Sequence, residues 1–348
     1  MGLCAHQKIM KNVGRPRPRL PRPGDPPGPP GPSERLVMRL TSLILSLFMI
    51  WGALPAAAAG PFDIRPPAAS SGIDPQAVTV VGTPQHHLLK KGDDLLEIAR
   101  SYGLGYTEIG SLYRGWDPFL PPVGQEIVIP TRWIVPDSRG RQIIVNTGEM
   151  RLYYFGTPTQ IYTFPIGMGV LDFRTPSGTF RVIEKKVNPA WHIPKSLQAK
   201  YGMAVMPPGE DNPLGEYKLT LSWGDYGIHG TAMPLGVGRL VSHGCTRMYP
   251  EHIKKLFPLV RVGTSVEYIY EPAKIGFRDG RVFLSVHEDV YFKIPSMLLH
   301  VLNLLEQRSL SDQVNMTKVM QTVEEQNGAV VDITGSGGGA APDYRRPL

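Results

Sequence analysis

Between Arg141 and Tyr270 the chain alternates β-branched and aromatic residues with polar ones in short runs: QIIVNT, MRLYYF, QIYTFPIGM, GTFRVIEKKV, YKLTLSW, YGIHG and SVEYIY. Gly, Pro and Asp separate them. Period-two patterning in such short pieces, cut by turn formers, restricts this region to a mainly β (α+β) architecture. One helix is expected just after Cys245, where Pro250-Glu251-His252-Ile253-Lys254-Lys255-Leu256-Phe257 sets helix formers in an apolar spacing before Pro258.

The same region holds Ile228-His229-Gly230-Thr231 and Val241-Ser242-His243-Gly244-Cys245-Thr246-Arg247-Met248, with Cys245 16 positions after His229. Thiol catalysis needs a thiolate. An imidazole within hydrogen-bond reach lowers the thiol pKa and carries the proton to a leaving amine. Glycine before the nucleophile permits tight backbone geometry, and backbone N–H groups at such a turn stabilise the oxyanion formed when a carbonyl is attacked. Cys245 and His229 are therefore the candidate nucleophile and base, with His243 a second imidazole. The simpler readings are an inert buried thiol and a structural histidine. Ser242 lacks the Gly-x-Ser-x-Gly or Ser-x-x-Lys surroundings of a serine nucleophile. A zinc site on His229, His243 and Cys245 has no further histidine or acidic cluster to complete it, so neither metal nor cofactor is expected.

With these motifs, residues 141–271 resemble the L,D-transpeptidase catalytic domain (YkuD type), whose signature is a histidine in an IHGT-like strand followed by S/T-H-G-C and a nearby Arg or Asn. Thr175-Pro176-x-Gly178-x-Phe180, Asn188-Pro189-Ala190-Trp191, Pro213-Leu214-Gly215 and Val262-Gly263-Thr264-x-Val266 add to the match. Thr246 departs from it, standing where the family usually has an aliphatic residue, and should alter packing behind the nucleophile. The resemblance implies that Cys245 attacks the carbonyl of a peptidoglycan tetrapeptide stem while His229 accepts and returns the proton. It gives His243 a role in supporting the thiolate or the oxyanion site, and N–H groups near Gly244 and Cys245, beside Ser242, the role of the oxyanion hole. Arg247 would hold the active-site loop or a substrate carboxylate, and Trp191, with Tyr226, would line the groove. The implied reaction breaks the bond before the terminal D-alanine, stores the acyl group as a thioester and passes it to an amine in cell-wall cross-linking or protein attachment. Water as acceptor would make the site a carboxypeptidase or hydrolase, and loss of chemistry would leave a non-catalytic wall-binding protein.

Residues 86–136 change character. Asp93 or Asp94 suits an N-cap, Leu95, Leu96, Ile98 and Ala99 form an apolar face, and Gly103 closes a short helix. A second helix, Tyr106 to Tyr113, leads to a strand-like Gln125 to Pro130. Through Gly92-Asp93-x-Leu95-x-x-Ile98-Ala99 and Gly124-x-x-Ile127-x-Ile129-Pro130 this segment resembles a LysM module, a βααβ unit that binds the sugar backbone of peptidoglycan. Arg114-Gly115-Trp116-Asp117-Pro118 departs from it where such modules often carry Asn-Pro. A spacer that packs on the catalytic domain is the alternative. His86 and His87 have no further ligand at metal spacing and are expected to face solvent.

The net charge of +7 does not describe the part expected to fold. Residues 1–37 hold seven basic and two acidic residues, a net +5, and Arg39 adds one more, so about +1 remains downstream. A basic surface for nucleic acid is excluded as the explanation of the high pI. Residues 14–32 carry nine of the 35 prolines and almost no apolar side chains, the composition of a disordered leader, unless Met38 is the true start. Met38-Arg39, the uncharged Leu40 to Leu54 and Pro-Ala-Ala-Ala-Ala-Gly at 55–60 form a signal-peptide pattern over 38–59 and imply the periplasm. An uncleaved inner-membrane anchor is the alternative, since the charge-free stretch runs 23 residues from Leu40 to Phe62. Of the two cysteines, Cys4 lies in the leader and only Cys245 would be exported, where a lone thiol asks for a chemical reason. Residues 60–85 read as a linker, 272–330 as a C-terminal extension with an apolar helix at Ile294 to Leu305 and a polar one at Asp312 to Gln326, and 331–348 as a disordered tail. The partners implied are stem peptides, glycan strands and a protein acceptor in the envelope.

Overall fold

The computed structural model describes residues 60–68, 72–224 and 226–335. The expected leader (1–37, with Cys4), the export or anchor segment (38–59) and the tail from 336 lie outside the described residues.

The alternating segments build a nine-stranded mixed sheet. Its spatial order is Phe62–Asp63, Gln160–Pro165, Arg151–Thr157, Ile143–Asn146, Ser265–Ile269, Gly178–Val187, Tyr217–Leu221, Gly227–His229 and Thr246–Arg247. Ile143–Asn146 runs parallel to Ser265–Ile269, and Gly227–His229 parallel to Thr246–Arg247; the other neighbours are antiparallel. All four residues of Ile143–Asn146 are buried because the sheet carries a core on each side. On one side Ile143, Val145 and Leu152 join Leu219, Ile228 and Ile253. On the other, Ile144, Tyr153 and Ile269 meet Leu95, Ile98 and Ile109. Adjacent residues pointing to opposite cores is what a period of two produces.

The second core is covered by the strand Gln85–Leu88, the helices Leu95–Ser101 and Tyr106–Gly110, and the strand Glu126–Ile129, which pairs antiparallel with the first. Asp94 is the cap of the first helix, its carboxylate accepting from the N–H groups of Leu96 and Glu97 at 2.9 and 2.8 Å. His86 is exposed, whereas His87 is hydrogen-bonded to Tyr102 and Asp93 at 3.1 and 3.0 Å. A buried ion pair ties this unit to the sheet. Arg151 donates to both oxygens of Glu108 at 2.6 and 2.8 Å, and Glu108 also accepts from Trp133 Nε1 at 2.9 Å and from the Gly105 N–H at 2.7 Å.

The stretch expected as a linker, 60–85, adds structure of its own. Phe62–Asp63 extends the edge of the large sheet, and Val80–Gly82 pairs with Arg132–Ile134. C-terminal to the large sheet, Ala273–Arg278, Arg281–Val286 and Val331–Asp332 form a three-stranded sheet. It packs on the helices Met297–Gln307 and Met316–Glu325 through Val282, Leu284, Val301, Leu305 and Val319. The tail expected from 331 thus begins as a strand. Lys274 fastens this layer to the large sheet, donating to Glu149 at 2.6 and 2.7 Å and to the Tyr153 hydroxyl at 3.0 Å. No helix among the described residues is long and apolar enough to cross a membrane.

Candidate active site

One parallel strand pair sets His229 beside Arg247, and Cys245 directly precedes the second of these strands. Ile228 stands opposite Thr246 and His229 opposite Arg247. Ile228 and Thr246 are buried in the core, so alternation places His229 and Arg247 on the other face. Cys245 precedes Arg247 by two residues, one place ahead of the strand Thr246–Arg247. Burial lowers the pKa of Arg247, while the neighbouring Cys245 and Tyr201 oppose that shift by favouring the guanidinium. Arg247 Nε is buried with no hydrogen-bond partner among the described residues.

The turn that presents the thiol is fixed on several sides. It follows the strand Leu240–Ser242, which lies parallel to Met168–Gly169. Gly244 has φ +103°, and a Cβ there would sit 2.4 Å from the Tyr226 ring, so both backbone and neighbour demand glycine. Ser242 Oγ spans the turn, accepting from the Gly244 N–H at 3.1 Å and donating to the Cys245 carbonyl at 2.6 Å. The Gly244 N–H, expected among the oxyanion donors, is therefore engaged within the turn, and Ser242 acts on the loop's shape. Thr175 Oγ1 donates to the Gly244 carbonyl at 3.1 Å and accepts from the Gly169 N–H at 2.9 Å. Tyr291 closes the chain, donating to the Gly169 carbonyl at 2.7 Å and accepting from the Thr175 N–H at 3.2 Å. Behind the nucleophile, the Thr246 and Tyr268 hydroxyls are bonded at 2.9 Å, so the family-departing threonine has a polar partner where an aliphatic side chain would have none.

His229 is 3% exposed. Its Nδ1 lies 2.6 Å from the Gly230 carbonyl, and since a carbonyl only accepts, Nδ1 carries the hydrogen and Nε2 the lone pair. Burial pushes the imidazole pKa down to about 3; the Gly230 and Leu214 carbonyls oppose the shift, and the Arg247 and Lys218 charges add to it. The resting imidazole is neutral, which suits a proton acceptor.

The other expected residues sit further out. His243 is exposed and lies against Phe173, with ring centroids 4.7 Å apart. Trp191 is half-buried in a flap made of Trp191–His192, the helix Lys195–Tyr201 and Val205–Met206. It meets Tyr201 edge-on at 5.0 Å, and Tyr201 is the ring that neighbours Arg247. Tyr201 and Tyr291 are not marked by the sequence, and Thr175 is marked there only as part of a motif, without its role at the turn. Their only signal is that Thr175 stands in a family-like Thr-Pro-x-Gly and Tyr201 closes a helix after Asn-Pro-Ala-Trp.

Residues 140–267 match the family model described as the L,D-transpeptidase catalytic domain (YkuD). The chain is 32% identical over 278 residues to "Probable L,D-transpeptidase YcfS" of Escherichia coli (strain K12), covering 75% of this chain and 87% of that protein. It is 41% identical over 199 residues to "Probable L,D-transpeptidase YbiS" of the same organism, covering 54% of this chain and 64% of that one. Among solved structures, the catalytic domain from E. faecium L,D-transpeptidase matches 37% of this chain and 96% of its own at 22% identity and a TM-score of 0.30.

Proposed function

Because the chain belongs to the L,D-transpeptidase family of cysteine acyltransferases acting on the cell wall, we propose that Cys245 is its nucleophile and a peptidoglycan tetrapeptide stem its acyl donor. The observation that supports the reading is the strand register that sets His229 opposite Arg247, two residues after Cys245. Neutral His229 takes the thiol proton at Nε2 as Sγ attacks the carbonyl before the terminal D-alanine. An N–H at the nucleophile turn, that of Cys245, stabilises the resulting oxyanion. Collapse breaks the C–N bond, His229 returns its proton to the departing amine, and the acyl group remains as a thioester. An acceptor amine then attacks, gives its proton to His229 and expels the thiolate, which is reprotonated. Arg247, with its unpartnered Nε, meets a substrate carboxylate, and Ser242 and Gly244 hold the turn. His243 with Phe173, and Trp191 with Tyr201, frame the groove.

Residues 141–271 are read as the catalytic domain and 86–136 as a glycan-binding unit fixed beside it, with 38–59 directing the chain to the periplasm. The test is product analysis with a purified tetrapeptide stem and an amine acceptor. Release of D-alanine together with an acyl–amine product, both lost in Cys245→Ala, is expected. Unchanged D-alanine release from that variant would overturn the assignment, and release without an acyl–amine product would make the protein a carboxypeptidase.

A further inference from the structure

The three residues before Cys245 are each met by one short loop, residues 169–175. The Val170 N–H donates to the Ser242 carbonyl at 3.0 Å, the Phe173 ring lies 4.7 Å from that of His243, and Thr175 Oγ1 donates to the Gly244 carbonyl at 3.1 Å. Leu171 to Arg174 are exposed, so the loop's placement against the turn rests on hydrogen bonds rather than on apolar packing. One bond across its ends joins the Gly169 N–H to Thr175 Oγ1. Tyr291 supplies two more, its hydroxyl donating to the Gly169 carbonyl and accepting from the Thr175 N–H. A single buried oxygen thus clasps both ends of the loop.

Tyr291 stands beyond the family match at 140–267, between the strand Arg281–Val286 and the helix Met297–Gln307. It leaves the core of its own layer and packs into that of the large sheet. The segment around it is built to hold one position. Asp289 accepts from the Tyr270 hydroxyl and from the N–H groups of Lys293 and Ile294, and the Tyr270 hydroxyl accepts from the Tyr291 N–H at 3.1 Å. The Tyr270 and Tyr291 rings stack at 5.9 Å. Phe292 keeps φ +54° although its side chain is 79% exposed and gains little packing. A bulky residue persists in the left-handed region only where its surroundings over-determine it, and such strain gathers at functional sites.

We propose that Tyr291 is a positioning residue for acyl transfer, so that the C-terminal layer completes the active site instead of merely packing on it. Through the 169–175 loop its hydroxyl sets residues 242–244, and with them where the Cys245 Sγ and N–H meet the carbonyl under attack. The inference rests on Cys245 being the nucleophile.

The experiment measures D-alanine release from a tetrapeptide stem, and alkylation of Cys245 by iodoacetamide, in the full chain and its variants. Alkylation needs a reactive thiolate but no oxyanion donor and no oriented carbonyl. Tyr291→Phe keeps the ring and removes the clasp. Its kcat should fall by about tenfold to a hundredfold, with KM for the stem and the alkylation rate close to wild type. Asp289→Asn loosens the segment without touching the 169–175 loop and should lower kcat in the same direction by less; it carries the test should Tyr291→Phe fail to fold. Thr175→Val acts on the same path, so adding it to Tyr291→Phe should cost little more than the worse single change. Val301→Ala weakens the core of the C-terminal layer away from Tyr291, so Tm should fall while kcat holds wherever the chain remains folded. Wild-type kcat in Tyr291→Phe, or an equal loss of kcat in folded Val301→Ala, overturns the inference while leaving the family reaction intact. Unchanged D-alanine release from Cys245→Ala overturns the reading beneath it as well.

Discussion

At the scale of single residues, the account depends on protonation and on the shape of one turn. With its pKa held at about 3, His229 stays a base well below the ordinary histidine range of 6.5. Protonation abolishes the base form only as pH falls toward that value, so kcat/KM should persist to about pH 5. An acid limb centred between about 6 and 7 in a pH–rate profile would contradict it. Gly244→Ala drives a Cβ into Tyr226 at a φ that L-residues rarely adopt. Acylation should slow by about a hundredfold or more, measured as the rate of adduct formation with a carbapenem, and wild-type speed would show the turn to be slack. Thr246→Val strands the buried Tyr268 hydroxyl. It should cost about 1–3 kcal/mol of unfolding free energy while catalysis survives. Cys245, His229 and Arg247 were legible because their chemistry is written in two short motifs. Tyr201 and Tyr291 were not, since an aromatic's role depends on which loop it touches, and Tyr291 reaches the turn from a separate segment of the chain; Tyr226 was expected to line the groove, and its ring lies against Gly244.

Among the elements, the parallel pair of Gly227–His229 with Thr246–Arg247 decides the site, and it depends on the sheet being backed from both sides. The Glu108–Arg151 pair couples the helix Tyr106–Gly110 to that sheet. Arg151→Met leaves a buried carboxylate without its guanidinium and should destabilise the chain by about 3–5 kcal/mol, read from chemical unfolding. A change below about 1 kcal/mol would mean that the pair is solvated. A second link is backbone on backbone. A Cβ at Gly105 would lie 2.6 Å from Gly238 Cα, and Gly238 lies just before the strand that leads into the nucleophile turn. The alternation in Arg141 to Tyr270 foretold strands, and Asp94 with its apolar face foretold a capped helix. The strands at Phe62–Asp63 and Val80–Gly82 escaped notice because pieces of two and three residues carry no period. Their pairing is settled by partners about a hundred and about fifty residues away.

For the whole molecule, the buried imidazoles set the response to acid. Burial holds His229, His252 and His287 at about 3, 4 and 3. On unfolding each returns to the ordinary 6.5, so below that pH the unfolded chain binds more protons and stability falls as pH falls. Each group contributes up to about 1.4 kcal/mol per pH unit, about 4 kcal/mol for the three. Tm should drop steeply between about pH 6 and 4.5, and a flat Tm would place these rings in contact with water. A formal charge of +7 gave no hint of this, since most of it lies in the leader and at Arg39, outside the described residues. The central claim is that one thiol holds the acyl group. Full-length protein mixed with a tetrapeptide stem in the absence of an acceptor amine, quenched in acid and weighed intact, should gain the mass of the stem less that of the D-alanine released, mapped to Cys245 and absent from Cys245→Ala. Turnover of the stem with no such adduct, or an adduct that persists in Cys245→Ala, would contradict the account.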